Sequence, residues 1–110
     1  MDPTPESTGH LERGRAHWDA GRFQEAIPEL QAAKREHPLE AGYLLARCFM
    51  KVQVYNMALK ELIAAREKAG PEDFSATVKE ICYMLGRIYE AAGKVEQATQ
   101  EYNRIVEKQT

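Results

Sequence analysis

Three histidines, two cysteines and a scatter of serines and threonines are the side chains that could supply a nucleophile or, with the carboxylates, a metal site. His10 and His17 stand seven residues apart, and no cysteine or carboxylate completes a metal-ligand spacing such as His-x-x-x-His. A metal needs three or four convergent ligands, so His10, His17 and His37 read as solvated histidines. Cys48 and Cys82 have apolar neighbours, Phe49 and Ile81 among them, which suits structural thiols rather than nucleophiles. Ser7, Ser75 and the threonines have no His–Asp partners at motif spacing. The seven glycines are dispersed and form no phosphate-cradling loop. The expectation is a non-enzymatic protein with no cofactor and no metal.

Composition narrows the classes further. The chain has 110 residues, enough for one domain that buries roughly two thirds of its unfolded surface. Fifteen basic residues against seventeen acidic ones give a net charge of −2. No basic field is present to neutralise phosphates, so nucleic acid is not an expected partner. The apolar runs fall far short of the ~20 residues that span a bilayer, so neither is a membrane. The N-terminal stretch Met1-Asp2-Pro3-Thr4-Pro5-Glu6 has neither the positive nor the apolar region of a secretory signal. Two cysteines make no disulfide framework. A reducing, cytoplasmic setting is expected.

What positions the side chains is helical. Residues 1–8 hold two prolines and no apolar periodicity, and are expected to be a disordered tail. Beyond them, β-branched residues nowhere alternate as they would in a strand. Ala, Glu, Leu, Lys, Gln and Arg fill long stretches instead. Breaks at Ala20-Gly21, His37-Pro38, Gln53-Val54, Gly70-Pro71 and Gly93-Lys94 divide these into six helices, near 8–20, 22–36, 39–52, 55–69, 73–92 and 95–109. Pro28 falls inside the second helix, early enough to bend it rather than break it. Links this short make neighbouring helices antiparallel, giving an all-α chain of three helical hairpins.

The hairpins repeat. Ala26, Ala58 and Ala98 each lie early in a second helix. Twelve residues before each stands a small residue: Gly14, Ala46 or Gly86. Four residues after each comes a bulky one: Leu30, Leu62 or Tyr102. Phe23, Tyr55 and Val95 precede the alanines by three. A small residue at a helix crossing lets two backbones approach, and a large one fills the groove this leaves.

Leu85-Gly86, Tyr89, Gly93, Ala98 and Tyr102 in the third unit, with Leu45-Ala46, Phe49, Tyr55, Ala58, Leu62 and Ala65 in the second, resemble the tetratricopeptide repeat. Gly14, Gly21, Phe23, Ala26, Leu30, Ala33 and Pro38 carry the pattern in the first. The resemblance implies a domain over residues 9–110, in units of about 7–38, 39–72 and 73–110, stacked as a right-handed superhelix. It also implies that the first helices line a concave groove for peptides or proteins. Two departures stand out. The alanines are 32 and then 40 residues apart, against the usual repeat of about 34. The excess lies near residues 71–78, where Asp73 or Ser75 could cap a helix, so the fifth helix is expected to start about two turns early. In the first helix, Arg13 and His17 occupy positions that are Leu45/Phe49 and Leu85/Tyr89 later.

One stripe of the first helices would face the groove. It comprises Leu11, Tyr43 and Tyr83, then Arg15, Arg47 and Arg87, then Trp18, Met50 and Glu90. The arginine row has two readings, a ligand-binding row or solvated helix surface, and only Arg47 lacks an acid one turn away on its own helix. The tyrosines serve a peptide groove or pack on the next hairpin. One subtype of the family holds a partner's terminal carboxylate with Lys, Asn and Arg. The matching positions here are Leu11, Arg15, Leu44, Glu80 and Met84, which exclude that clamp. The leading expectation is an interaction module for an extended or helical partner segment, acidic with apolar anchors, held by Leu11, Arg15, Trp18, Tyr43, Arg47, Met50, Tyr83 and Arg87. The alternative is a self-association module. No polar capping element follows the sixth helix, so Ile88, Tyr102, Ile105 and Val106 would be partly uncovered. Either the chain is part of a longer protein or that face forms a weak homodimer.

Overall fold

The computed structural model describes residues 5–70 and 75–107, with side chains for 9–70 and 75–105. The regular elements among them are all α-helices: α1 (Pro5–Asp19), α2 (Phe23–Ala33), α3 (Pro38–Lys51), α4 (Tyr55–Lys68), α5 (Ala76–Ala91) and α6 (Val95–Glu107). Residues 5–8, the last part of the expected tail, fall in the first turn of α1. Pro5 opens that helix, where its fixed φ is already suitable and its missing amide would have had no partner. The rest of the expected tail lies outside the described residues. Pro28 does not interrupt α2.

The three hairpin turns share one geometry. Gly21, Gln53 and Gly93 follow the first helices with φ of +77°, +66° and +78°. The next amide in each case reaches back five residues: Arg22 to the His17 carbonyl, Val54 to Phe49, and Lys94 to Tyr89, each at 2.8 Å. A left-handed residue followed by this long bond closes a helix by satisfying carbonyls its last turn would leave free. Gln53 adopts the same conformation with a Cβ, at a cost.

Within each hairpin the small-against-large pairing occurs as the spacing implies. A Cβ added to Gly14 would stand 2.5 Å from Leu30 Cδ2, and one added to Gly86 would stand 2.3 Å from Tyr102 Cε1. In the second unit Ala46 and Leu62 are both fully buried. Leu30, Leu45, Leu62, Ile81 and Leu85 form the centre of the core.

The excess length between the second and third units is distributed. α4 has 14 residues against 11 in α2, and its link to α5 is the longer of the two links between units. α5 begins at Ala76, ten residues before Gly86, whereas α3 begins eight before Ala46. The extension of α5 is therefore half a turn, not the two turns expected. Ser75 is the cap, its Oγ accepting the Val78 amide at 3.3 Å; Asp73 lies outside the described residues.

α3 packs on both α1 and α5, whereas among the described residues α2 and α4, and likewise α4 and α6, do not touch through their backbones. The first helices are thus the inner layer, and the array curves around them.

Long side chains bridge the outer layer. Glu29, Glu61 and Glu101 each stand three residues after the repeat's alanine. Lys34 donates to both oxygens of Glu61, at 3.0 and 3.1 Å. Arg66, at the matching position one unit on, donates to Glu101. Glu29 takes its partners from α1: His10 Nδ1 at 2.8 Å and Arg13 Nε at 3.1 Å. Arg13 therefore does polar work where Leu45 and Leu85 do apolar work. The His10 hydrogen bond, and after it Arg13, hold the Glu29 carboxyl below the ordinary carboxylate range against the opposing cost of burial.

Two outcomes are expected in denaturant unfolding. Arg66→Ala leaves Glu101, whose other oxygen is already buried without a partner, as an uncompensated charge. It should cost about 3 kcal/mol, with most of the loss recovered in the Arg66→Met/Glu101→Leu pair. A loss no larger than that of the more exposed Lys34→Ala would contradict this account. Gln53→Gly should stabilise the protein by about 0.5–1 kcal/mol, because glycine takes the left-handed turn without a Cβ clash.

Candidate functional site

Tyr43, Arg47 and Met50 recur at helical spacing on the inner face of α3, and Trp18 of α1 packs beside them. The Arg47 guanidinium lies 4.5 Å from the Trp18 ring centroid and 5.5 Å from that of Tyr43. Its Nη1 donates to the Tyr43 hydroxyl at 3.3 Å. Trp18 is fixed in turn by an edge contact with Phe23, centroid to centroid 4.9 Å. The Lys51 ammonium stands 5.8 Å from the Phe23 ring. Neither Arg47 nor Lys51 has a carboxylate partner among the described residues.

These side chains wall a hollow of about 620 Å³ that opens between α1, α3 and α5. Trp18, Tyr43, Arg47, Met50 and Lys51 form one side, and Glu80 and Met84 of α5 form the other. A second hollow of about 340 Å³ adjoins it across Trp18 and Tyr43, bounded also by Arg15, Asp19, Glu40, Leu44 and Thr77. Arg15 donates to Glu40 there, tying α1 to α3.

The eight side chains expected in one groove separate into groups. Trp18, Tyr43, Arg47 and Met50 meet around the larger hollow, and Arg15 borders the smaller. Leu11 packs against the core, as Trp18, Tyr43 and Met50 partly do, but lines neither hollow. Tyr83 and Arg87 repeat the Tyr43–Arg47 pair, with Arg87 Nη1 donating to Tyr83 at 3.2 Å, but they line neither hollow. The Tyr83 ring lies 6.2 Å from that of Tyr102, whose hydroxyl donates to Glu90 at 2.9 Å. Desolvation and this acceptor raise the Tyr102 phenol, and the bond to Tyr83 raises Arg87. Lys51, Glu80, Met84, Asp19, Glu40, Leu44 and Thr77 are the wall residues that the stripe does not include. Leu44 and Met84 share one repeat position, two before Ala46 and Gly86, which is the signal that finds them.

On the last hairpin, Ile88 is packed against the core and Tyr102 and Ile105 are half-buried. The Val106 side chain lies outside the described residues. Among the described residues no group of three or more His, Cys, Asp or Glu side chains is placed to hold a metal, and no helix is long and apolar enough to cross a membrane. His10 is bonded to Glu29, and His17 Nδ1 accepts from Arg22 Nε at 3.1 Å. Cys48 and Cys82 are free and buried, and burial pushes the Cys48 thiol up to about 11. Both sulfurs are buried away from reagent, so neither cysteine should be labelled by a disulfide reagent at neutral pH in the folded protein. Both should react once it is unfolded in denaturant. Rapid labelling of native protein would show that the core opens around them.

No curated protein matches the chain. A family model described as tetratricopeptide repeat matches residues 11–53, and a second model of the same description matches residues 79–107. The two matches together span more than half of the sequence, and they fall on hairpins that share one turn geometry and one small-against-large crossing; the chain belongs to the tetratricopeptide repeat family.

Proposed function

We propose that the protein is a non-catalytic interaction module that holds a segment of a protein partner on its concave face, over the two hollows between α1, α3 and α5. Tetratricopeptide repeats generally mediate protein–protein interaction; in this chain the inner face of α1, α3 and α5 is the surface that does so. The observation that carries it is the larger hollow, where the apolar side chains of Trp18, Met50 and Met84 adjoin two cations, Arg47 and Lys51, that form no ion pair among the described residues. An apolar anchor on the partner would bury against Met50 and Met84, whose thioethers adapt to differing shapes. An acidic neighbour on the partner would meet Arg47 and Lys51. Rings already hold the Arg47 fork in place, so little side-chain freedom is lost on binding. Tyr83 and Arg87 take no part in this contact.

Self-association through the last hairpin has less support. The Tyr102 ring fills the space over Gly86 and its hydroxyl is engaged by Glu90, which leaves less apolar surface there than an uncovered face would offer. The two buried free thiols favour a reducing, cytoplasmic setting.

Affinity capture from the native host, quantified by mass spectrometry, tests the reading through differences between variants. Met84→Glu and Arg47→Glu should each lose the partners by about tenfold or more, while Tyr83→Ala and Ile105→Glu retain them. Tyr83 is exposed, so its change should move stability by no more than about 0.5 kcal/mol. Arg47, Met84 and Ile105 are half-buried, so binding of those variants is compared at a temperature below the melting transition of each. Partners retained by both groove variants would overturn the proposal. Loss with Ile105→Glu alone, together with a shift to monomer in sedimentation, would support the alternative.

A further inference from the structure

We propose that the concave face reads the order of charges along its partner. It takes a segment with a carboxylate beside an apolar side chain at one point and a cationic side chain at another. The carboxylate lies toward the C-terminal end of α3 and the cation toward its N-terminal end. This rests on the groove reading above and adds polarity to it.

The two hollows differ in charge. The larger has Arg47 and Lys51 against Glu80, an excess of one positive charge. The smaller has Arg15 against Asp19 and Glu40, an excess of one negative charge. Arg15 is already engaged by Glu40, and Asp19 has no ion-pair partner among the described residues. A cation arriving there would meet two carboxylates with a single arginine between them. In the larger hollow one excess positive charge matches a side-chain carboxylate, whereas a phosphoryl dianion would be only half balanced. Arg47, stacked on Trp18 and Tyr43, presents its remaining donors as a planar fork suited to that carboxylate.

Trp18 and Tyr43 belong to both hollows, so a segment that enters both must cross these rings. The spacing follows from α3 itself. Glu40 and Arg47 are seven residues apart on one helix, about 10 Å at the α-helical rise. An extended partner covers that distance in about three residues, and a helical one in about seven. Binding in the reverse sense would place carboxylate against Glu40 and Asp19 and a cation against Arg47 and Lys51, a repulsive mismatch at both ends.

A display library of random twelve-residue peptides tests this directly. Selection on the wild-type protein should enrich an acidic residue next to Leu, Met or Phe, with Lys or Arg three or seven positions away. The tightest peptide is then synthesised with its acidic and basic residues exchanged, which preserves composition and net charge. The exchanged peptide should bind about tenfold more weakly or worse. A variant with reversed charges, Glu40→Lys/Arg47→Glu/Lys51→Glu, should prefer the exchanged peptide. The milder Arg47→Gln/Lys51→Gln variant should lose the discrimination even if the triple variant folds poorly. Equal affinity of the two peptides for the wild type, with binding still abolished by Met84→Glu, would overturn charge-order reading and leave the groove in place. Enriched peptides indifferent to Met84→Glu, or no enrichment at all, would overturn both.

Discussion

Each hairpin closes at a small residue in tight surroundings: Gly14, the fully buried Ala46 or Gly86. At Gly14 and Gly86 even a methyl would collide with Leu30 and Tyr102. That steric limit sets how near α1 comes to α2 and α5 to α6, and therefore which faces of the first helices are left over. The core takes the face beside the small residue, including Leu45 and Leu85. The adjacent stripe, with Tyr43, Arg47 and Met50, is turned toward the inner layer. Because the inner helices touch one another and the outer ones do not, that stripe becomes the wall of a concavity rather than part of a flat surface. The hollows follow from the close crossings.

The outer layer is held by a different device, suited to the wider gap there. Lys34 and Arg66 have the reach to span it, and the glutamates they meet are nearly buried. An ion pair of this kind gains little over apolar packing, but it is costly to break on one side only. It therefore fixes which unit sits against which more than it adds stability. In the first unit Arg13 and His10 of α1 serve Glu29. This gives Arg13 a polar partner at the position that is Leu45 and Leu85 in the later first helices.

Much of this is legible in the sequence, because it depends on local spacing. Gly21, Gln53 and Gly93 mark the turns. Ala26, Ala58 and Ala98 fix the register, and from them the contacts of Gly14 with Leu30 and Gly86 with Tyr102 follow. The same register also carries Glu29, Glu61 and Glu101, yet spacing alone does not tell a buried glutamate from a solvated one; that depends on cations a whole unit away. The length of α5 is hidden for a similar reason. Extra residues between units can lengthen a helix or a link, and only the balance of caps and packing decides how they are shared. Leu11, Trp18, Tyr43 and Met50 of the stripe all pack in part against the core, so spacing alone does not say how much of each is left for a ligand.

Arg47 and Arg87 show most plainly what the sequence withholds from the candidate site. Both follow a tyrosine by four residues, and both donate to its hydroxyl, at 3.3 and 3.2 Å. Within one helix they are the same motif. The difference comes from the unit before. Arg47 stacks on Trp18, whose π face attracts a cation, and it is held over the larger hollow, which Glu80 also lines, without an ion-pair partner among the described residues. The residue equivalent to Trp18 in the second unit is Met50, which has no ring to offer, and Arg87 is left with Tyr83 and with Glu90 as a nearby charge. A repeat thus places the same two side chains twice, while the neighbouring unit determines which copy is poised for a ligand. Function in such an array is specified between repeats, by the residues at which they differ.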